Sequence, residues 1–182
     1  MKKLIAVLMM LLVIAGAAAL AETTENEEWI APLAGEPVTL EKDLGVLIDN
    51  VYYPVYQPVA ALLEALGEPL EMISSPSCVF EGEDFEYDYE YGSVFTSPID
   101  GPDVWYEFYI FDVSVTTTRG LAVGDTIERM LELYGEGYYM EGEGIYTYSL
   151  SGDPEDLLSP CLIIEEQEGL IVTIDIYYPT NI

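Results

Sequence analysis

The chain uses one segment twice, 68 positions apart, and this repeat limits the possible folds more than any other feature. The first copy runs from Gln57 to Glu68, and the second runs from Asp125 to Glu136. A tyrosine-rich stretch that alternates like a strand follows each copy. A repeat of this kind is typical of a duplicated supersecondary unit. The sequence therefore predicts an α+β fold of two tandem repeats, each a short helix packed on a three- to four-stranded antiparallel sheet.

Both copies carry the end signals of a short helix. Asp125 and Glu128 have the spacing of a capping box, and Pro58 fits the first position of the other helix. Gly67 and Gly135 stand where a residue with positive φ commonly ends a helix. Apolar residues recur at helical spacing in both segments: Val59, Leu62, Leu63 and Leu66 in the first, and Ile127, Met130, Leu131 and Tyr134 in the second. Helices this short need a sheet to pack against.

Alternating segments supply that sheet. Two short apolar segments flank Asp49-Asn50, which predicts a hairpin leading into the first helix. From Asp84 to Tyr91 acidic and aromatic residues alternate, which predicts a strand with one acidic and one aromatic face. A calcium site built from this run is not expected, because acids on one strand face are about 6.6 Å apart and do not converge on one ion.

The strongest predicted strands are Trp105–Val115 and Leu170–Tyr178, which we align on Asp112 and Asp175. The alignment assigns one set of side chains to the helix side: Tyr109, Phe111, Val113 and Val115 with Val172, Ile174, Ile176 and Tyr178. It assigns the other set to an open face: Tyr106, Phe108, Ile110, Ile171 and Tyr177. Tyrosine-rich patches suit interfaces, because the ring offers a large contact area and a hydroxyl at low entropy cost. These five residues are therefore the predicted protein-binding site; the alternative is that they pack in the core.

The first 21 residues have the three parts of a secretory signal. Lys2 and Lys3 precede an apolar run that ends at Leu20, and Ala19-Leu20-Ala21 is the small-x-small pattern that signal peptidase recognises. We expect cleavage after Ala21 and secretion without membrane insertion; the alternative is a retained anchor, although the run is near the lower length limit for spanning. Residues 22–36 are predicted to be a disordered acidic leader, 37–115 repeat 1 and 116–182 repeat 2.

Composition narrows the classes of function. Cleavage would leave three basic residues against all 34 acids, a formal net charge of −31, so nucleic acid and anionic lipid would be repelled. The 51% of hydrophobic residues nevertheless supports a packed core rather than a disordered chain. There is no histidine, which removes the commonest general base and the commonest zinc ligand. We expect a non-catalytic protein with no cofactor and no metal.

The two cysteines, Cys78 and Cys161, fall one in each predicted repeat. An exported chain can keep a disulfide, and a bridge between them would stabilise the fold by roughly 4 kcal/mol in the chain-entropy model. The alternative is two buried free thiols.

The second helix also resembles a known fold group. Gly124-Asp125-Thr126, followed by Met130 and Gly135, is similar to the helical signature shared by the secreted beta-lactamase inhibitor protein and the SmpA/OmlA-type envelope lipoproteins. Leu66-Gly67-Glu68-Pro69 closes the first helix in the same manner. The resemblance covers roughly residues 45–178 and implies a tandem of helix-plus-sheet units whose sheet binds protein. The segment from Cys78 to Gly82 also resembles uncharacterised exported proteins of Gram-positive bacteria.

Two departures from that group bear on function. The inhibitor has a disulfide inside each repeat, and the lipoproteins have a lipidated cysteine that this chain lacks. We therefore expect a secreted, inhibitor-like module that binds an unknown extracellular or cell-surface protein. The alternative is a structural factor of the envelope without a tight soluble partner.

Overall fold

The computed structural model describes residues 34–140, 143–153, 156 and 158–180. Within them lie eleven strands and two short helices. The first half contains β1 (Gly45–Ile48), β2 (Val51–Pro54), β3 (Gln57–Pro58), α1 (Ala60–Leu66), β4 (Glu71–Pro76), β5 (Glu83–Tyr89), β6 (Gly92–Pro98) and β7 (Asp103–Ile110). The second half contains α2 (Ile127–Tyr134), β8 (Tyr138–Met140), β9 (Ile145–Ser149), β10 (Cys161–Gln167) and β11 (Leu170–Tyr177).

Antiparallel sheet dominates the fold. Eight strands follow one another in the order β4-β5-β6-β7-β11-β10-β9-β8, and β3 joins the first part of β7 to make a nine-stranded sheet. Each helix precedes four consecutive antiparallel strands, and the two sets of four meet where β7 pairs with β11. The predicted mixture of helix and antiparallel sheet is confirmed, with the sheet as the larger component.

Both helices pack on the same face of this sheet. At its centre one cross-strand row consists of fully buried apolar side chains: Val94, Phe108, Ile176 and Leu162. Leu62 of α1 and Met130 of α2 belong to the same core cluster. Burying an apolar side chain of this size stabilises a fold by about 1.5–3 kcal/mol, so this layer holds the two halves together.

The two helices end alike. Gly67 and Gly135 have φ of 84° and 77°, and the N–H of each donates to the carbonyl four residues earlier at 2.9 Å. This confirms the predicted glycine ends. The predicted starts were wrong: α1 begins after Val59, while Pro58 lies in β3.

The second helix starts at a different cap from the one predicted. Thr126 caps α2 by accepting a hydrogen bond from the N–H of Arg129, while Asp125 accepts one from the N–H of Ala122 instead. The helical spacing placed Leu131 on the apolar face of this helix, but Leu131 is 36% exposed.

The predicted hairpin is confirmed as β1 and β2. Asp49 and Asn50 both have positive φ, which these two residue types tolerate better than other non-glycine residues. In β5, Tyr89 is buried towards the helices, and its neighbours in sequence, Asp88 and Glu90, are less buried. The predicted division of this strand into an aromatic and an acidic face is therefore confirmed.

A buried arginine joins the two halves. The Nε of Arg119 donates to Asp43 Oδ1 at 2.7 Å, and its Nη1 donates to the carbonyls of Glu36 and Leu133 at 2.9 Å. Its guanidinium lies 4.7 Å from the ring centroid of Tyr134. Five donors in a fixed plane allow arginine to serve several acceptors at once. The connection between the halves is therefore packed rather than a loose linker.

The predicted strand over residues 105–115 was too long. β7 ends at Ile110, and Asp112 turns the chain by accepting a hydrogen bond from the N–H of Ser114 at 2.9 Å. The alignment of Asp112 with Asp175 therefore fails, since Asp175 lies inside β11. The predicted signal and most of the predicted leader lie outside the described residues. Among those described, neither helix has the length and apolar character needed to cross a bilayer.

Candidate functional site

The face of the sheet turned away from the helices is the candidate site, and we call it the distal face. Directly paired residues of neighbouring strands point to the same side of a sheet, so the register defines its rows. One row is Ile73, Glu86, Phe95, Glu107, Tyr177, Cys161 and Ser149. The next row is Glu71, Asp88, Ser93, Tyr109, Asp175, Ile163 and Thr147. In the first row carboxylates and aromatic rings alternate from Glu86 to Tyr177.

Three of the five predicted binding residues do not lie on this face. Phe108, Ile110 and Ile171 are at most 1% exposed and belong to the core under the helices, so their assignment to an open surface was wrong. Tyr106 and Tyr177 are partly exposed, and Tyr177 lies on the distal face through its pairing with Glu107.

A β-bulge explains the error in β7. The register shifts between Phe95 and Thr96, so that Trp105 and Phe108 are both buried although they are three residues apart. The two residues between them, Tyr106 and Glu107, therefore both turn outwards. A bulge of this kind redirects side chains and breaks the simple period of two.

Tyr106 lies among the acids of the distal face. Burial, with the negative charges of Glu107 and Asp84 as further causes, raises the pKa of its hydroxyl to about 12. The hydroxyl therefore stays protonated at neutral pH and can donate a hydrogen bond to a partner.

Asp175 is the most perturbed acid on this face. Burial, with the nearby carboxylates of Glu107 and Glu165 as further causes, raises its pKa from 3.8 to about 8. Burial also raises the pKa of Glu107, with Glu86 as a second cause. The Oδ1 of Asp175 is buried and has no hydrogen-bond partner among the described residues. A buried acceptor without a partner costs about 1–3 kcal/mol.

Two acids nearer the edge are held in place by serines. Ser93 Oγ donates to Asp88 Oδ1 at 2.5 Å, and Ser97 Oγ donates to Asp84 Oδ1 at 2.7 Å. These carboxylates are acceptors only, so what they can bind is a cationic or hydrogen-donating group. No basic residue occurs in the sequence between Lys42 and Arg119, so β4 to β7 contain none to neutralise them.

The distal face does not contain a disulfide. Cys78 and Cys161 are both free thiols, Cys78 exposed and Cys161 buried, so the predicted bridge was wrong. Cys78 lies just beyond β4, five strands from β10 in the sheet, which at about 4.8 Å per strand separates the two by roughly 24 Å. A bridge needs Cα atoms within about 7 Å. Burial, with Asp175 and Glu107 as further causes, raises the pKa of the Cys161 thiol to about 12.

The described acids and cysteines do not gather into a group of three or more that could hold a metal ion.

The acids at the centre of the face were missed by sequence reasoning. Glu107 is the one acid in the run Trp105–Ile110 of β7, and Asp175 is the one charged residue of β11. A lone acid in an apolar run was the signal that could have found them. Its side chain must either face solvent or be desolvated, and both cases mark the position as unusual. Phe95 was missed because the register across strands cannot be read from a single sequence. The assignment of Tyr109 to the helix side was wrong, because Tyr109 pairs with Ser93 and Asp175 in a row of the distal face. Phe111 and Val113, assigned to the same side, are 44% and 66% exposed beyond the end of β7.

Compared with family models, with curated proteins and with solved structures, the chain gives no match in any of the three. The resemblance to the beta-lactamase inhibitor fold group therefore stays a prediction.

Proposed function

We propose that the chain is a secreted, non-catalytic protein-binding module that presents the distal face to a partner with a basic surface. The partner is an extracellular or cell-surface protein. Tyr106, Tyr109 and Tyr177 supply apolar contact area with a polar tip. The acids around them attract a lysine or arginine of the partner, which Asp175 receives by giving up its proton.

The burial of Asp175 is the observation that carries this proposal. Its Oδ1 is buried without a hydrogen-bond partner beside two further acids, and this arrangement costs stability that a neutral residue would not cost. Strongly perturbed acids cluster at functional sites more often than elsewhere. A cationic group from a partner would satisfy Oδ1 and favour the ionised form of Asp175, which burial and the two neighbouring acids otherwise disfavour.

The aromatic side chains support the same conclusion. Tyr109 and Phe111 have ring centroids 6.5 Å apart at the end of β7, and Phe111 is 44% exposed. Aromatic residues with an apolar body and a hydroxyl are enriched at the centres of protein interfaces. Neither described helix covers this face, because both belong to the cluster on the other side.

We also propose that the two halves are copies of one unit, as in the inhibitor fold group. The helix ends support this, since both have glycine in the same conformation. Tyrosine hydroxyls support it further: Tyr89 donates to the carbonyl of Gly67 at 3.4 Å, and Tyr148 donates to that of Gly135 at 2.9 Å. In each half a strand tyrosine thus binds the carbonyl end of the helix.

The experiment is affinity capture with residues 22–182 as bait, at about 150 mM salt so that exposed charges are screened beyond roughly 8 Å. Extracellular and cell-surface fractions are passed over wild type, over Tyr106→Ala combined with Tyr177→Ala, and over the control Val113→Ala. Val113 is 66% exposed and lies outside the sheet. Captured proteins are identified by mass spectrometry, and their stoichiometry is measured with purified components.

We expect a stoichiometric partner that the tyrosine double variant loses and the Val113→Ala variant keeps. If all three baits retain the same basic, abundant proteins, and higher salt removes them, then charge alone did the binding and the proposal fails. A role as a structural envelope factor would then be the better account.

A further inference from the structure

The outer edge of β4 is exposed and apolar. All six residues of this strand are exposed, and no described strand pairs with its outer edge. Four apolar side chains on or beside it are about half exposed or more: Leu70 (69%), Met72 (58%), Ile73 (47%) and Val79 (55%). Natural proteins usually protect such an edge with charge, a bulge or a covering segment.

The backbone groups of β4 that face outwards can be identified from the register. The N–H of Ser77 donates to the carbonyl of Gly82 at 3.0 Å, and this pair continues the register in which Pro76 pairs with Glu83. Antiparallel ladder bonds recur at every second residue, so Ile73 and Ser75 bond towards β5, and Ser74 faces outwards.

Proline confirms this assignment. Pro76 is two residues from Ser74 in β4, so its backbone nitrogen faces outwards as well. The N–H that proline lacks is therefore one that β5 would not have bound. Proline occurs in sheets where its nitrogen does not serve the ladder, as on the free side of an edge strand. The free edge thus offers the N–H and C=O groups of Met72 and Ser74.

We infer that this edge is a second binding surface, which takes an extended peptide segment of a partner by β-strand addition. The segment would carry lysine or arginine among aliphatic residues. A basic segment is expected because acids surround this edge. Glu68, Glu71, Glu81 and Glu83 lie on or beside β4, and no basic residue occurs between Lys42 and Arg119. A second copy of this chain fits poorly, because two such edges would bring these acids together.

This surface differs from the one in the proposed function, so each can fail without the other. Strand addition derives its affinity from backbone bonds and its specificity from alternate side chains. Only the outermost side chains, such as Ile73, are shared with the distal face.

The test uses a fluorescein-labelled, end-blocked peptide of eight residues that alternates valine and lysine. Its affinity for residues 22–182 is measured by fluorescence anisotropy at about 150 mM salt. Ser74→Pro removes one outward N–H and leaves the bonds to β5 intact, and Ser74→Ala is the matched side-chain control. We expect the proline variant to bind about tenfold more weakly and the alanine variant to bind like wild type.

Three further measurements keep the test decisive. Urea unfolding shows whether Ser74→Pro is folded; if it is not, a peptide N-methylated on the residues that would face β4 replaces it and should bind wild type about tenfold more weakly. Equal binding by the proline and alanine variants, or by the methylated and plain peptides, would show general charge attraction and overturn the inference. A dimer of wild type in sedimentation velocity that Ser74→Pro abolishes would overturn the proposed occupant in favour of a second copy.

Discussion

Replacing Asp175 by asparagine should stabilise the protein, and increasingly so as the pH rises. Asparagine has nearly the same shape as aspartic acid and never carries the charge. In the wild type, burial raises the pKa of Asp175 from 3.8 to about 8, with Glu107 and Glu165 as further causes. The folded state therefore holds this proton more tightly than the unfolded state does.

The sign and size of the effect follow from proton linkage. Below pH 3.8 Asp175 is protonated in both states and costs nothing; between pH 3.8 and about 8 only the unfolded state loses the proton readily, so stability falls as the pH rises. Each pH unit in this window costs at most about 1.4 kcal/mol. From pH 5 to pH 7.5 the full effect would be about 3.5 kcal/mol, and partial solvation reduces our expectation to about 2 kcal/mol.

Urea unfolding at pH 5 and at pH 7.5 measures this difference. The stabilisation of Asp175→Asn over wild type should be about 2 kcal/mol larger at the higher pH. Glu64→Gln, on the exposed side of α1, is the control because it removes the same charge from the surface. If Asp175→Asn gains no more than Glu64→Gln between the two pH values, the reasoning about burial at this position is refuted.

Three further predictions concern the core and the thiols. Native protein should react with a thiol reagent at Cys78 alone, and Cys161 should react only after denaturation; two reactive thiols in the native state would contradict its burial. Arg119→Met should destabilise the fold by about 3–5 kcal/mol in urea, because it leaves the partner carboxylate buried and unpaired; a change below about 1 kcal/mol would contradict this. Met130→Ala should cost about 2–5 kcal/mol and Leu131→Ala about 0.5 kcal/mol in the same assay, whereas equal burial of the two would make the costs similar.

The parts of the fold that were predicted correctly depend on residues that are close together in the sequence. The glycines at both helix ends, the hairpin at Asp49-Asn50 and the two faces of β5 each depend on residues close in sequence. Positive φ at a glycine and alternation of acid with aromatic are properties of a short segment, so a single sequence suffices to read them.

The faces of β7 could not be read in this way. Its sequence has aromatic residues on both sides, so polarity alternates only weakly, and the bulge at Tyr106 and Glu107 breaks the period. Where the strand ends was also decided by a side chain, since Asp112 bonds to its own turn. The disulfide failed for a related reason: the distance between Cys78 and Cys161 depends on strand order, which spacing along the chain does not give.

The substitution Asp175→Asn distinguishes a structural role of Asp175 from a binding role. The two roles predict different combinations of effects on stability and on partner affinity. If the acid serves only the fold, asparagine should leave partner binding unchanged while it raises stability. If the acid receives a cation of the partner, the same substitution should raise stability and weaken binding, since a charge-assisted hydrogen bond becomes a neutral one. Removing that contact should cost about 1.5–3 kcal/mol of affinity, or roughly ten- to a hundredfold. Stability and partner affinity should therefore be measured together on Asp175→Asn. Higher stability with weaker binding would favour the binding surface, and higher stability with unchanged affinity would show that Asp175 is not part of it.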